Sequence, residues 1–390
     1  MSRVTMNVLF LHSGGEWLRG SENALLVTLR GLKQTGMPLL WSSNTELLAA
    51  AHREGIETIQ GSMPEIMIDG EHVRLQFFSW VATIRHLWKL IERRNIQLLY
   101  CNGGSTCQVG YYAAKLARVP LICHLHAPYN RRYVLLYRLH RASKVIFVSR
   151  AIEKSTSQKQ CFAGRCEVVY NGVDIHRFRP LRERDHQWRE RLGLPGGAVV
   201  FGQVSSLIER KGIDILLRGF ELISRQEPAA RLVIVGDGPQ RREYELLANK
   251  LGIQGRVVFT GNQIDPLPFY QHVFDVNVLA SRSDAFPLSL LEASACGLPN
   301  LAASVDGIPE AVTDQVTGSL FAAGDHRMLA AKMFSLLPSP ELRRALGEAG
   351  RQRAAREFSM EHYCQSIERI IVEETTASFV HKGQDLIPHP

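Results

Sequence analysis

No window of about 18 consecutive apolar residues occurs in the 390-residue chain, so no segment reads as a membrane-spanning helix. The opening stretch, MSRVTMNVLFLHSGG, holds only the short apolar run VLFL before its glycines. It lacks the long apolar region of a secretory signal and reads as a first buried strand, so the expected location is the cytoplasm. The seven cysteines (Cys101, Cys107, Cys123, Cys161, Cys166, Cys296 and Cys364) include no CxxC pair. That argues against a disulfide framework and against structural zinc, since Cys161 and Cys166 have no second pair to complete four ligands. Zinc-finger, RRM and basic-zipper patterns are missing, which leaves nucleic acid without a recognition element. Internal repeats and low-complexity tracts are missing too.

What is present fits two globular α/β domains. The chain is too long for one ordinary domain, and 45% hydrophobic with 22% charged residues is ordinary for a soluble protein. The net charge of +8 is uneven: residues 1–180 carry 23 Lys+Arg against 12 Asp+Glu, and residues 181–390 carry 23 against 26. The basic half either meets something acidic, such as an anionic membrane or a phosphorylated lipid acceptor, or serves solubility.

Apolar strand-like runs alternate with helical patterns, the mark of a parallel sheet with crossover helices. In the first half the runs are 8–12, 38–42, 97–102, 120–126 and 144–149; in the second they are 198–205, 231–236, 256–261, 275–281, 298–304 and 318–323. The polar, turn-rich segment 171–197 reads as the connection between domains. Residues 359–374 form a last helical pattern; no periodicity is visible after about 376, and that tail is expected to be loose.

Several strand ends carry residues suited to an anionic ligand. Gly14 and Gly15 stand between the first strand and a helix from about Ser21, where backbone amides approach a phosphate closely; a plain strand-to-helix turn uses glycine equally well. The third glycine of a dinucleotide fingerprint is missing. His124 and His126 share one face at a strand end, as crevice residues or as structural histidines. Arg210 and Lys211 precede Gly212 at the mouth of a helix, where cations suit a diphosphate. Gly236 ends a strand before a tight turn, and Gly261 with Asn262 ends the next. In SRSDAFPLSLLEASACGLP, Asp284 lies in the turn before a helix and Glu292 inside it, eight steps on and near one line along that helix. The pair could grip two parts of one elongated ligand, or Asp284 could cap the helix. Two stretches, Val73–Arg94 and Tyr129–Arg141, interleave arginines with aromatic residues; each suits either an anionic membrane surface or a core-facing helix with a solvated basic face.

The order of these motifs resembles the retaining glycosyltransferases of family 4. The matching text is GG near the start, then NGVDIHRFRP, RKGID, LVIVGDGP, RVVFTG, SRSDAFPLSLLEASACGLP and SVDGIPEAVTDQVTGSLF, over roughly residues 7–375. The resemblance implies an α/β GT-B fold, two Rossmann-like domains facing each other across a cleft. The domains would be an acceptor-side domain over 1–178 and a nucleotide-sugar domain over 195–358. A C-terminal helix of about 359–375 would pack back onto the first.

It implies roles position by position. Gly14 and Gly15 would contact donor phosphates, and His126 would contact the donor sugar near the reacting carbon. Lys211 would be the diphosphate lysine, with Arg210 beside it. Asp284 would hold sugar hydroxyls and Glu292 the ribose, and the amides around Phe286 and Leu288 would face the sugar or diphosphate. Gly236, Gly261 and Asn262 complete the donor-binding set, and His126, Asp284 and Lys211 the catalytic set. Two positions depart from the pattern: Ser206 stands where the family often has arginine, and Asp284 is one methylene shorter than the family's glutamate.

The implied reaction moves a sugar, with retention, from a nucleoside-diphosphate sugar, UDP- or GDP-linked, to a hydroxyl of a glycan or lipid-linked acceptor. Cell-surface polysaccharide or glycolipid synthesis, on the inner face of the membrane, is the expected setting. No Asp-x-Asp triplet occurs, so no metal or other cofactor is expected. The rivals are a nucleotide-sugar epimerase or hydrolase on the same fold, and a catalytically decayed relative that only binds nucleotide sugar.

Overall fold

A strand covered by helices on both faces is buried along its whole length, so it reads as a continuous apolar run and not as an alternating one. The structure, a computed structural model, describes residues 6–15, 18, 20–33, 36–64, 67–69, 72–74, 76–156 and 159–384. In its first strand, β1 (Met6–His12), Val8 to Leu11 are all buried. The chain divides into two units, one built up to Asn171 together with the segment from Glu361, the other spanning Gly172–Met360.

The first unit continues with β2 (Gly36–Ser42), β3 (Glu57–Gln60), a hairpin of β4 (Met67–Asp69) and β5 (His72–Arg74), β6 (Leu98–Asn102), β7 (Leu121–Leu125), β8 (Lys144–Phe147) and β9 (Cys166–Val168). Its seven-stranded sheet runs β3-β2-β1-β6-β7-β8-β9 with parallel pairing. The edge strands β3 and β9 and the hairpin escape the apolar-run criterion. β3 reads ETIQ and β9 CEV, and an edge strand half in solvent tolerates such polar text.

The C-terminal helix Met360–Gln384 returns to this unit. Its Tyr363, Ile367, Ile370 and Ile371 join the core with Leu25 and Leu29 of helix Gly20–Leu32, and the Tyr363 hydroxyl lies 2.7 Å from Thr28 Oγ1. Gly31 makes room for this contact, since a Cβ there would stand 2.6 Å from Cys364 Sγ. The helix extends well past residue 376, against the reading of a structureless tail. The later turns carry no apolar periodicity, but they continue a helix already nucleated by its buried first half.

The second unit holds β10 (Val200–Val204), β11 (Arg231–Val235), β12 (Val257–Phe259), β13 (Val276–Leu279), β14 (Asn300–Ala303) and β15 (Gly318–Phe321) in the order β12-β11-β10-β13-β14-β15. Helix Ile213–Ser224 packs Leu216, Leu217 and Phe220 into its core with Phe201, Leu232 and Val276. The turn-rich segment 171–197 is more ordered than its composition suggests. It carries a helix, Gln187–Arg191, and Arg189 bonds Asp275 at 2.8 Å and the Val273 carbonyl at 2.7 Å.

Candidate functional site

Both sheets reverse their strand order beside their first strand, between β1 and β6 in one unit and between β10 and β13 in the other. Ligands of open α/β sheets bind beyond the carboxyl ends of strands at such a reversal. In each unit the reversal gathers titratable residues.

In the second unit the turn after β10 meets the turn after β13. Gly212 makes this approach possible: its φ is +64°, and a Cβ there would lie 1.9 Å from the Ala280 carbonyl oxygen. Lys211, at the mouth of helix Ile213–Ser224, thereby reaches Asp284, with Nζ 2.5 Å from Oδ2. Both side chains are largely buried, at 14% and 10% exposure. Arg210 Nη1 donates to the Ser283 carbonyl at 2.8 Å and stands 3.8 Å from Asp284 Oδ1. Asp306, a non-glycine residue at φ +43°, accepts from the Ser283 hydroxyl at 2.5 Å and the Asp284 amide at 2.9 Å, which pins the turn.

Asp284 lies in the turn before a helix and Glu292 inside it, as read from the sequence. The helix starts only at Leu288, because Pro287 is extended and disfavours the helical region for the residue before it, so Asp284 lies four residues ahead. The capping alternative fails for the same reason: no side chain caps this helix. Phe286 is buried, its ring 5.4 Å from that of Phe358. Glu292 accepts from the Tyr270 hydroxyl at 3.0 Å, on the short π-helical turn Phe269–Val273. Burial pushes its carboxyl up to about 7, although the Tyr270 bond and Arg177 pull the other way.

Gly236 and Gly261 are tied to each other: the Gly236 amide donates to the Gly261 carbonyl at 2.9 Å. What Gly236 contributes is close approach, at φ +133° with the Ser205 carbonyl 2.0 Å from a built Cβ. Gly261 is also at positive φ, and Asn262 is exposed in the same turn.

In the first unit, parallel pairing sets His12 of β1 beside Asn102 of β6, and Asn102 beside His124 of β7. His126 Nε2 lies 2.9 Å from Asn102 Oδ1, and Asn102 Nδ2 lies 3.3 Å from both His12 Nδ1 and the Ser21 carbonyl. His12 Nε2 in turn stands 3.3 Å from Glu22 Oε1. Burial opposes charge on Glu22, but His12, the Glu22 backbone amide and the Ser21 hydroxyl together outweigh it and hold the carboxyl at about 2. Burial drives His126 down to about 4, so its ring is neutral at neutral pH. The His124 ring packs 4.2 Å from it and bonds the Tyr100 hydroxyl through Nδ1 at 2.8 Å. Gly14 is needed for this cluster, since a Cβ there would lie 2.8 Å from His12 Nε2; Gly15 has open space around it. Sequence reading passes over His12, Glu22 and Asn102 as site residues. Their signal is position: His12 and Asn102 each end a strand beside the reversal.

The two arginine–aromatic stretches are linked through Tyr112. Helix Phe77–Arg93 buries Thr83, Ile84, Leu87 and Ile91 and exposes Phe77 and Phe78, the latter at 88%. Trp80 packs 5.0 Å from Tyr112, whose hydroxyl accepts from Arg138 Nε at 3.3 Å. No helix among the described residues is long and apolar enough to cross a membrane. All seven cysteines are free thiols, and among the described residues no group of three or more His, Cys, Asp or Glu side chains is placed to hold a metal ion.

Comparison with known proteins gives this geometry a context. The profile described as Glycosyl transferases group 1 matches residues 185–353, and that described as Glycosyltransferase Family 4 matches residues 38–177. The chain is 34% identical over 218 residues to a GDP-mannose-dependent alpha-(1-6)-phosphatidylinositol monomannoside mannosyltransferase of Mycolicibacterium smegmatis, covering 54% of this chain and 57% of that one. It is 27% identical to the N-acetyl-alpha-D-glucosaminyl L-malate synthase of Bacillus anthracis, over 74% and 78% of the two chains. The chain spans about half the length of most of the curated relatives it matches. Among solved structures, Anabaena HepE in complex with UDP-glucose superposes with a TM-score of 0.81 at 22% identity, over 94% of this chain and all of that one. The fold is GT-B.

Proposed function

The chain belongs to glycosyltransferase family 4, and on that premise we propose that it transfers a sugar from a nucleoside-diphosphate sugar to a hydroxyl of a glycan or lipid-linked acceptor, with retention and without a metal ion. The observation that carries this reading is the Lys211–Asp284 pair, with Arg210, at the β10/β13 reversal. An ammonium has three donors, and Asp284 takes one. The other two, with the start of helix Ile213–Ser224, suit a diphosphate. In a retaining transfer the acceptor hydroxyl enters on the face from which the diphosphate leaves. Negative charge grows on the leaving phosphate, and a preorganised cation such as Lys211 stabilises it by about 3 kcal/mol.

The remaining roles follow the chemistry of each group. Asp284 Oδ1 is the acceptor for sugar hydroxyls, and Glu292 for the ribose; Phe286 and Leu288 would offer amides, and Gly236, Gly261 and Asn262 would line the base. In the first unit His126 is the proposed sugar contact and the Gly14–Gly15 turn the phosphate contact. The relative named GDP-mannose-dependent and the HepE complex with UDP-glucose make GDP- and UDP-sugars the first donors to test. The exposed Phe77 and Phe78, at the start of a helix that carries Arg85, Lys89 and Arg93, are the proposed contact with an anionic membrane.

The test is a panel of UDP-, GDP-, ADP- and dTDP-sugars, read by melting temperature and calorimetry. A donor at a hundred times its Kd adds about 2.7 kcal/mol of stability. One clear binder supports the proposal, whereas no binder at millimolar concentration defeats it.

A further inference from the structure

The hydrogen bonds beneath His126 run in one direction only. The Ser21 carbonyl can only accept, so the nitrogen of the Asn102 amide must face it, at 3.3 Å. This orients the amide: Oδ1 points to His126 and can only accept, so His126 Nε2 carries the proton across the 2.9 Å contact. Asn102 Nδ2 also lies 3.3 Å from His12 Nδ1, and His12 Nε2 stands 3.3 Å from Glu22 Oε1, so Glu22 steadies the ring against which the Asn102 amide rests. His126 Nδ1 is left with no protein partner among the described residues, on a ring that is partly exposed.

We propose that Glu22, His12 and Asn102 are positioning residues that lock His126 in the Nε2–H tautomer, so that Nδ1 presents a lone pair to a ligand hydroxyl. His126 is thereby an acceptor at this atom and not a donor. The lock is built into the fold. Ser21 and Glu22 stand in the first turn of the helix that Met360–Gln384 braces, and Asn102 and His12 are register neighbours. Gly14 belongs to it as well, because a Cβ there would displace His12 Nε2. The titratable groups facing His126 are His124, His12 and Glu22; the neutral ring fits a lock that needs no charge. That the hydroxyl belongs to a sugar rests on the function proposed above; the tautomer does not.

The experiment is a long-range proton–nitrogen NMR spectrum of the full chain labelled with ¹⁵N-histidine, without donor. His126 is identified by its loss in His126→Gln. The expected pattern is a protonated Nε2 and a pyridine-like Nδ1. A protonated Nδ1, or rapid averaging of the two nitrogens, overturns the proposal. Asn102→Asp replaces the amide by a carboxylate of the same shape and should raise the His126 midpoint by about one to three pH units. An unmoved midpoint also overturns it. Should that variant not fold, the wild-type spectrum decides alone. Because no donor is present, failure of the transferase reading would leave this result standing, and the reverse holds equally.

Discussion

Replacing Lys211 separates a catalytic cation from a structural counter-ion. Lys211 Nζ sits 2.5 Å from a carboxylate that is only 10% exposed, so Lys211→Ala strands a buried charge. Removing one partner of a buried pair costs about 3–5 kcal/mol. Here the Ser281 hydroxyl at 3.4 Å and Arg210 at 3.8 Å remain beside Asp284, which brings the expected cost to about 2 kcal/mol, a drop of about 4–8 °C in melting temperature. Turnover should fall independently, by about 3 kcal/mol or roughly 150-fold in kcat/KM, because the leaving diphosphate loses its cation. The double variant Lys211→Ala/Asp284→Asn distinguishes the two effects. Neutralising Asp284 should restore most of the melting temperature, while turnover should stay about 150-fold below that of Asp284→Asn alone. Calorimetry and a nucleotide-release assay on wild type, both single variants and the double variant complete the cycle. If the double variant turns over as fast as Asp284→Asn alone, Lys211 acts only as the counter-ion of Asp284 and the diphosphate assignment is refuted.

Glu292 should make stability fall as pH rises. Its folded carboxyl titrates near 7 and an unfolded one near 4.5, so between these values the folded state holds a proton that the unfolded state has lost, and up to about 3 kcal/mol disappears across that window. Glu292→Gln should flatten the melting temperature over pH 5–7; an unchanged slope would place the effect elsewhere. Gly14→Ala should destabilise the free protein by crowding His12, whereas Gly15→Ala should leave the melting temperature within about 2 °C and weaken only donor binding, read by calorimetry. Chelation with EDTA should leave turnover unchanged, and a steep loss would reverse the metal assignment. Liposomes rich in anionic lipid should float the protein at low salt, and Phe77→Ser/Phe78→Ser should abolish flotation; wild type that stays in solution removes the membrane contact.

The sequence carries the elements and conceals their neighbours. Runs such as VLFL and RLVIV announce buried strands because parallel strands are apolar on both faces, and β1 and β11 lie where those runs lie. The edge strands β3 and β9 do not announce themselves, since half-exposed strands have no such text. Within the site, Lys211, Asp284 and Glu292 stand out because each closes a turn or a recognisable motif. The meaning of Asp284 nonetheless changes once its neighbours are known. Read along the chain, it is an acid in the turn before a helix, eight steps ahead of another inside it. In the fold it also meets a lysine 73 residues away, because β10 and β13 pair across the sheet reversal. The same holds for His12, Glu22 and Asn102, which are separated in sequence by up to 90 residues and carry no motif. They are joined only because β6 inserts beside β1, a choice of strand order on which local propensity is silent. A glycine shows the limit most clearly. Gly14 looks like a phosphate-binding residue from its neighbours in sequence, yet its missing side chain is already required by His12, so its presence cannot by itself report a ligand.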